Sequence, residues 1–342
     1  MSLWRVAAGV ALAVVLSGVA GWIAFDRWRN APLAIGAEAV RIEIPKGQAL
    51  AVTARKLAEQ GVLEHPRWLI LYARATGADA RVRAGEYELT PGATPITLLE
   101  LLQSGRVVQH AVTFVEGATF RDLRRILAGN EALHHVLADQ DDATVMRSLG
   151  EAGQAPEGLF FPDTYLFGKG TSDLDVLRQA RARMRDELEQ AWSARAEDLP
   201  YAMPYEALVL ASIVEKETAL GSERARIAGV FSERLRRGMR LQTDPTVIYG
   251  LGDAFDGNLR RSDLERDGPY NTYTRTGLPP TPIAMPGREA LQAAVRPDER
   301  GELYFVATGL PDGSHAFSRT HAEHQAAVRD YLVRYRQRKS ER

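Results

Sequence analysis

The sequence predicts an α+β protein with an N-terminal transmembrane helix, a small α+β module and a larger mixed α/β domain. Three observations carry this. Residues 6–25 form an uncharged apolar run long enough to cross a bilayer as a helix. Residues 40–115 alternate strand-like and amphipathic helical patterns in the order β-α-α-β-α-β. Residues 116–340 are mostly helical in periodicity, interrupted by loops rich in Gly, Pro and aromatics. The expected domains are therefore 1–30, 40–115 and 116–340.

The apolar run reads VAAGVALAVVLSGVAGWIAF, with Trp4, Trp22 and Trp28 near its ends, where interfacial aromatics sit. Arg5 precedes it; Asp26, Arg27 and Arg29 follow, so the flanking charges do not set an orientation. The rival reading is a cleaved signal peptide, for which Gly18 and Ala20 make a poor cleavage site. The run is longer than a usual signal core, which favours an uncleaved anchor through residues 6–25.

Asn30 to Ala39 reads as a short linker, and Arg41 to Ile44 alternates as a strand does. Leu50, Ala54, Leu57 and Ala58 mark an amphipathic helix that ends at Gly61. His65-Pro66 opens a second helix to about Ala75, and Arg83 to Leu89 forms a strand. Thr94-Pro95 supplies an N-cap and first helical position for a helix to Ser104, stopped by Gly105. Val107 to Val115 is a further strand. The β-α-α-β part resembles a LysM-like glycan-binding module in its order of elements; otherwise the module is a spacer between membrane and site.

In the larger domain, Thr119 and Asp122 make a capping-box-like helix start, with short helices following to Leu149. Residues 157–165, EGLFFPDTY, read as an ordered loop. Ser172 caps a long helix with Leu177, Ala180, Met184, Leu188 and Ala191 on one stripe. A helix from Pro204 runs to near Gly221, and another from Ser222 turns Ile227, Val230, Phe231 and Leu235 inward. Four prolines between Pro279 and Pro286 make a stiff wall. Leu303 to Ala307 and His315 to Phe317 read as a hairpin, and Thr320 caps a final helix.

Composition excludes several chemistries. Lys plus Arg is 43 and Asp plus Glu is 44, and no basic patch is interleaved with aromatics, so nucleic acid is not an expected partner. With no cysteine, the chain has no disulfide, thiolate nucleophile or Cys-based metal site. His321 and His324 lack the HExxH spacing and a third ligand, so neither metal nor cofactor is expected. No GxSxG elbow is present, and Ser212 one turn before Lys216 is weak evidence for a nucleophile.

The chemistry centres on the helix that Pro204 opens. Leu210, Ile213, Val214 and Glu217 fall at i, i+3, i+4 and i+7 on one face. A carboxylate ending an apolar stripe is desolvated, which favours its protonated form and suits it to protonate a leaving oxygen. Glu215 lies about 200° round the helix from Glu217 and points elsewhere. Downstream, Gln242, Thr243, Asp244 and Tyr249 surround the start of a Pro-led helix, and Asn271 and Tyr273 lie in YNTY. These are candidate cleft residues, since Tyr rings and amides suit sugar faces and hydroxyls.

ASIVEKETA, LQTDPTVIYG, YNTY, GLPPTPIAMPG and YFVA with HAFSRT stand in this order after the N-terminal run. Together they resemble the YceG-like endolytic murein transglycosylases, over essentially the whole chain and most strongly over 157–325. The resemblance implies a single-pass protein of the bacterial inner membrane with a periplasmic catalytic domain acting on peptidoglycan glycan strands. It also implies a lysozyme-like catalytic helix, in which Ile213-Val214-Glu215-Lys216-Glu217-Thr218 assigns the acid/base to Glu217. The implied reaction cuts the MurNAc–GlcNAc β-1,4 bond of nascent strands and leaves 1,6-anhydro-MurNAc ends. A hydrolytic muramidase, with Asp244 or Asp163 as second carboxylate, and a non-catalytic glycan-binding scaffold are the alternatives. The membrane segment suggests proximity to peptidoglycan synthases.

Overall fold

In the computed structural model the described residues, 3–340, divide into two compact units. One contains the chain up to His110 together with Leu166–Gly170; the other contains Ala111–Tyr165 and the chain from Thr171 onward.

The smaller unit contains α1 (Leu3–Asn30), β1 (Val40–Ile44), α2 (Leu50–Glu59), α3 (Pro66–Ala75), β2 (Gly85–Leu89) and α4 (Pro95–Ser104). β1 and β2 pair antiparallel with Ile42 opposite Tyr87. Their inner side chains, Ile42, Ile44, Tyr87 and Leu89, meet Ala54, Leu57, Leu69, Leu98 and Leu102 in one core. Tyr87 is fully buried, and its hydroxyl donates to the carbonyls of Arg83 (2.8 Å) and Leu102 (3.2 Å), which satisfies its polar end. Thr94 caps α4, and Gly105 closes it at φ +70°, a left-handed conformation that costs glycine little.

α1 is long and apolar enough to cross a membrane. It continues past the apolar run into the module: Trp28 and Leu33 are buried in the module's core. The segment after α1, expected as a linker, is fastened in its first half. Leu33 N donates to Ala93 O (2.7 Å) and Ala34 N to Val62 O (3.2 Å). Leu33, buried, and Ile35, partly buried, seat it on the module's core.

β3 (Gln109–Thr113) pairs with β4 (Thr164–Gly168), and the division between the units falls within these strands. β4 begins inside the segment expected as a loop. The other elements of the larger unit are α5 (Phe120–Ala128), α6 (Asp142–Ser148), α7 (Asp173–Ser193), α8 (Pro204–Glu217), α9 (Gly221–Arg236), α10 (Asp244–Leu251), α11 (Arg261–Glu265), α12 (Arg288–Val295), β5 (Tyr304–Ala307), β6 (His315–Ser318) and α13 (His321–Ser340).

α8 is the axis of this unit. Every residue from Ala207 to Val214 is buried, so the helix is enclosed on all sides rather than on the one face expected. α7, α9, α10 and α12 pack around it. Ser212, within this stretch, donates to Val209 O (2.7 Å) and accepts from Ile283 N (3.0 Å). It ties the proline-rich wall to the helix and leaves no hydroxyl proton for catalysis. α8 ends at Glu217, short of the expected Gly221, because Thr218 is extended at φ −145° and ψ 136°. The Thr218 hydroxyl accepts from Leu220 N (3.0 Å), which turns the chain into α9.

The 157–165 segment packs against the same wall. Gly158 has φ +78°, and a Cβ there would lie 2.4 Å from Pro282 Cβ. Phe160 stacks on Phe120 at 5.2 Å, and Tyr165 donates to Phe161 O (2.7 Å). The β5–β6 hairpin lies on α9, with Phe305 edge-on to Phe231 at 5.7 Å and Arg226 over Phe317 at 4.0 Å.

Gly158 meets both a conformational and a steric demand, so Gly158→Ala should destabilise the larger unit by about 2 kcal/mol or more. Thermal unfolding of the variant beside wild type measures this; an unchanged midpoint would show that the segment rearranges freely.

Candidate active site

Glu217 is the last residue of α8, where the helix end carries partial negative charge and disfavours a second anion. Its half-buried carboxyl accepts a hydrogen bond from the Thr243 hydroxyl through Oε1. Burial pushes its pKa up from 4.5 to about 7, and the charge of Asp244 adds to the rise. The Thr243 hydrogen bond, His315 and Arg234 oppose it. The balance leaves a carboxylic acid that holds its proton near neutral pH and has a donor ready to steady the anion once the proton leaves.

Thr243 precedes α10, and its position is strongly determined. Gln242 before it has φ +52°, the one non-glycine residue with positive φ among the described residues. Gln242 N donates to Thr272 O (3.1 Å), and Thr243 N to Thr272 Oγ1 (3.1 Å). Thr246 donates to Thr243 O (2.8 Å). The Gln242 side chain is exposed. Asp244, also exposed, accepts from the Tyr273 hydroxyl at 2.5 Å. Thr243, Asp244 and Tyr273 are thus gathered with Glu217 at one place, and Gln242 adjoins them through its backbone.

Asn271 and Tyr249 are placed differently. Asn271 is buried, and its amide nitrogen donates to the carbonyls of Asp263 (3.1 Å), Leu264 (3.1 Å) and Arg266 (2.7 Å). Its oxygen accepts from Tyr273 N (2.9 Å), so its side chain is spent on shaping the loop that presents Tyr273. Tyr249 donates to Glu157 Oε2 (3.1 Å) and packs edge-on to Tyr270 at 4.9 Å. It supports the far end of α10 and makes no bond to Glu217. Asp163 is exposed at the head of β4, with Oδ1 taken by Thr164 N (2.7 Å). Of the two carboxylates weighed as partners for the acid, Asp244 is the one whose charge acts on it.

Glu215 is fully occupied: it accepts from Gly287 N (2.9 Å) and pairs with Arg224 (3.3 Å). Its geometry supports the choice of Glu217 as the reactive carboxyl.

Sequence reasoning passed over three groups. Arg234 is buried on α9, donating to Leu303 O (2.7 Å) and Leu241 O (2.6 Å), and so holds the hairpin and the Gln242 segment together. His315 has its Nδ1 bonded to Glu223 (2.7 Å). Glu157, which receives Phe120 N (3.1 Å) and the Tyr249 hydroxyl, is pushed up to about 7 by burial. A glutamate opening an aromatic, Gly-bearing loop is the one available signal for Glu157.

The chain is similar to known proteins along most of its length. The YceG-like family matches residues 42–330. An endolytic murein transglycosylase of Bacillus subtilis is 31% identical over 310 residues, covering 86% of this chain and 85% of the relative. One from Streptococcus pneumoniae is 26% identical over 329 residues, covering 86% of this chain and 58% of the relative. A crystal structure of a yceG-like protein from Listeria monocytogenes superimposes with a TM-score of 0.52 at 31% identity, covering 85% of this chain and 99% of the other.

The raised carboxyls make both stability and activity depend on pH. The folded chain keeps protons on Glu217 and Glu157 that the unfolded chain releases between about pH 4.5 and 7. The stability these protonated groups contribute is full below about 4.5 and is lost as pH rises through about 7. Glu217→Gln removes one of them, so its melting temperature should fall less than wild type's between acid and mildly alkaline pH; parallel curves would contradict the assignment. Thr243→Val removes the donor that favours the anion, so the alkaline limb of the activity profile should move to higher pH with a lower maximal rate. A rate loss with an unmoved limb would show that Thr243 acts only through structure.

Proposed function

The chain belongs to the YceG-like family, and from that premise we infer that the protein is an endolytic murein transglycosylase. The observation that carries the mechanism is the half-buried carboxyl of Glu217, raised to about 7, hydrogen-bonded by Thr243 and beside the exposed Asp244.

Glu217 donates its proton to the glycosidic oxygen between MurNAc and GlcNAc as the C1–oxygen bond breaks. The resulting carboxylate, steadied by Thr243, takes the proton of the MurNAc C6 hydroxyl, and that oxygen closes on C1. The product is a 1,6-anhydro-MurNAc end. Glu217 regains its proton and no water is consumed, so one carboxyl suffices where hydrolytic glycosidases use two. The negative charge of Asp244, oriented by Tyr273, stabilises positive charge developing at C1. Gln242 offers an exposed amide to sugar hydroxyls.

Asp244 also motivates a second reading, a hydrolytic muramidase, because a carboxylate beside the acid can activate water. The phenol held at 2.5 Å on Asp244 favours a fixed electrostatic role over a mobile base.

The chain serves as a single-pass protein of the bacterial inner membrane, anchored through residues 6–25, with the catalytic unit in the periplasm and nascent glycan strands as substrate. Support for the anchor is the length and apolar character of α1. The order β1-α2-α3-β2 supports reading the small module as LysM-like, and α8 with its terminal glutamate supports a lysozyme-like catalytic helix. Proximity to the membrane favours peptidoglycan synthases as partners.

Mass spectrometry of products from glycan strands tests the reaction. Wild type should yield anhydro-MurNAc ends, and Glu217→Gln, while still folded, should be slower by about 10²-fold or more. Reducing MurNAc ends would replace the transglycosylase by the muramidase, and near-normal cleavage by the variant would remove Glu217 from the acid role.

A further inference from the structure

Ring contacts fix the depth of α3 relative to the membrane. Trp4 and Trp22 are exposed on α1, 18 residues apart. At about 1.5 Å per residue this is about 27 Å, close to the thickness of a bilayer's hydrocarbon core. Two exposed tryptophans at that separation mark the two interfaces. Phe25 then lies about 4–5 Å beyond the boundary and Trp28 about 9 Å beyond it, both within the headgroup layer.

These two residues carry α3 with them. Phe25 lies 6.2 Å from Trp68 and 5.6 Å from Tyr72, and Trp28 lies 5.4 Å from Trp68, ring centre to ring centre. Trp68 and Tyr72 are one turn apart on α3, so the helix lies against the end of α1 along a full turn. The seat is stiff, because the chain leaving α1 is fastened to the module at Leu33 and Ala34. The module therefore does not swing away from the bilayer on a tether.

The remaining surface of α3 suits that depth. Arg67, Leu71 and Arg74 fall at i, i+4 and i+7 and form one exposed stripe. Leu71 is 63% exposed, an apolar side chain between two arginines. Neither arginine is paired with an acidic side chain among the described residues. Apolar side chains that enter the acyl boundary, flanked by arginines that reach phosphates, are the pattern of an interfacial helix.

We propose that α3 is a membrane-interface helix: Trp68, Leu71 and Tyr72 enter the headgroup region beside α1, and Arg67 and Arg74 contact lipid phosphates. The proposal rests on the reading of α1 as a membrane anchor. It makes the small module a platform seated on the lipid surface, with the bilayer as the occupant of the exposed stripe of Arg67, Leu71 and Arg74.

The absence of native cysteine allows single labels at will. Full-length protein carrying a nitroxide at Leu71→Cys, Val14→Cys or Ser104→Cys is reconstituted in phosphatidylethanolamine–phosphatidylglycerol vesicles. Collision rates with oxygen and with a water-soluble nickel chelate are then measured. Ser104, exposed at the far end of α4 from the Ala93 attachment, is the water reference. The expected result is a label at Leu71 several-fold less accessible to the chelate than that at Ser104, and more accessible to oxygen, with Val14 deepest. A Leu71 label as chelate-accessible as Ser104, with Val14 protected, would overturn the docking of α3 while leaving the anchor intact. A Val14 label open to the chelate would overturn the anchor and the proposal with it. Protection at Leu71 from chelate and oxygen alike would mean a protein rather than a lipid neighbour, and would also overturn it.

Discussion

A carboxyl group carried on the last turn of a helix enclosed on all sides is the constraint on which the larger unit depends. α8 cannot be buried over eight consecutive residues unless α7, α9, α10 and α12 wall it in. Those walls desolvate Glu217 and raise it to about 7. The other polar groups of α8 must then be answered individually: Ser212 by Ile283 N, Glu215 by Gly287 N and Arg224. The Ile283 and Gly287 bonds fasten the proline-rich wall to the helix, so the same bonds that make burial tolerable also hold that wall in place. The strained backbone of Gln242 fits this logic, because it delivers the Thr243 hydroxyl to the acid.

Much of this is legible in the sequence. The i, i+3, i+4, i+7 pattern ending in Glu217 marks a carboxyl that burial raises, and the caps Thr94 with Gly105 and Thr119 with Asp122 are equally local. What escapes is non-local. β4 exists because β3 pairs with it, about fifty residues earlier in the chain, and five residues carry too little pattern to announce that. Asn271 looks like a ligand-binding amide until three carbonyls of the α11 segment are seen to use it. Tyr249 looks like a cleft residue until Glu157 claims its hydroxyl. A side chain's type is visible in the sequence, but not which partner reaches it first.

The likeness to endolytic murein transglycosylases points to the polymer and the bond. The geometry around Glu217 supplies the groups on which the proposed mechanism rests: a carboxyl raised by burial, a hydroxyl hydrogen-bonded to it, and the neighbouring charge of Asp244. In the smaller unit the packing of Phe25 and Trp28 onto Trp68 and Tyr72 joins the end of the long apolar helix to the module.

The most direct test of the account is the protonation state of Glu217 itself, followed by carboxyl ¹³C NMR of glutamate-labelled protein through a pH titration. Two resonances should titrate near 7, those of Glu217 and Glu157, and one of them should vanish in Glu217→Gln. If the resonance lost in that variant instead titrates near 4.5, in the ordinary range of glutamate, the acid is ionised at neutral pH and the mechanism built on it fails.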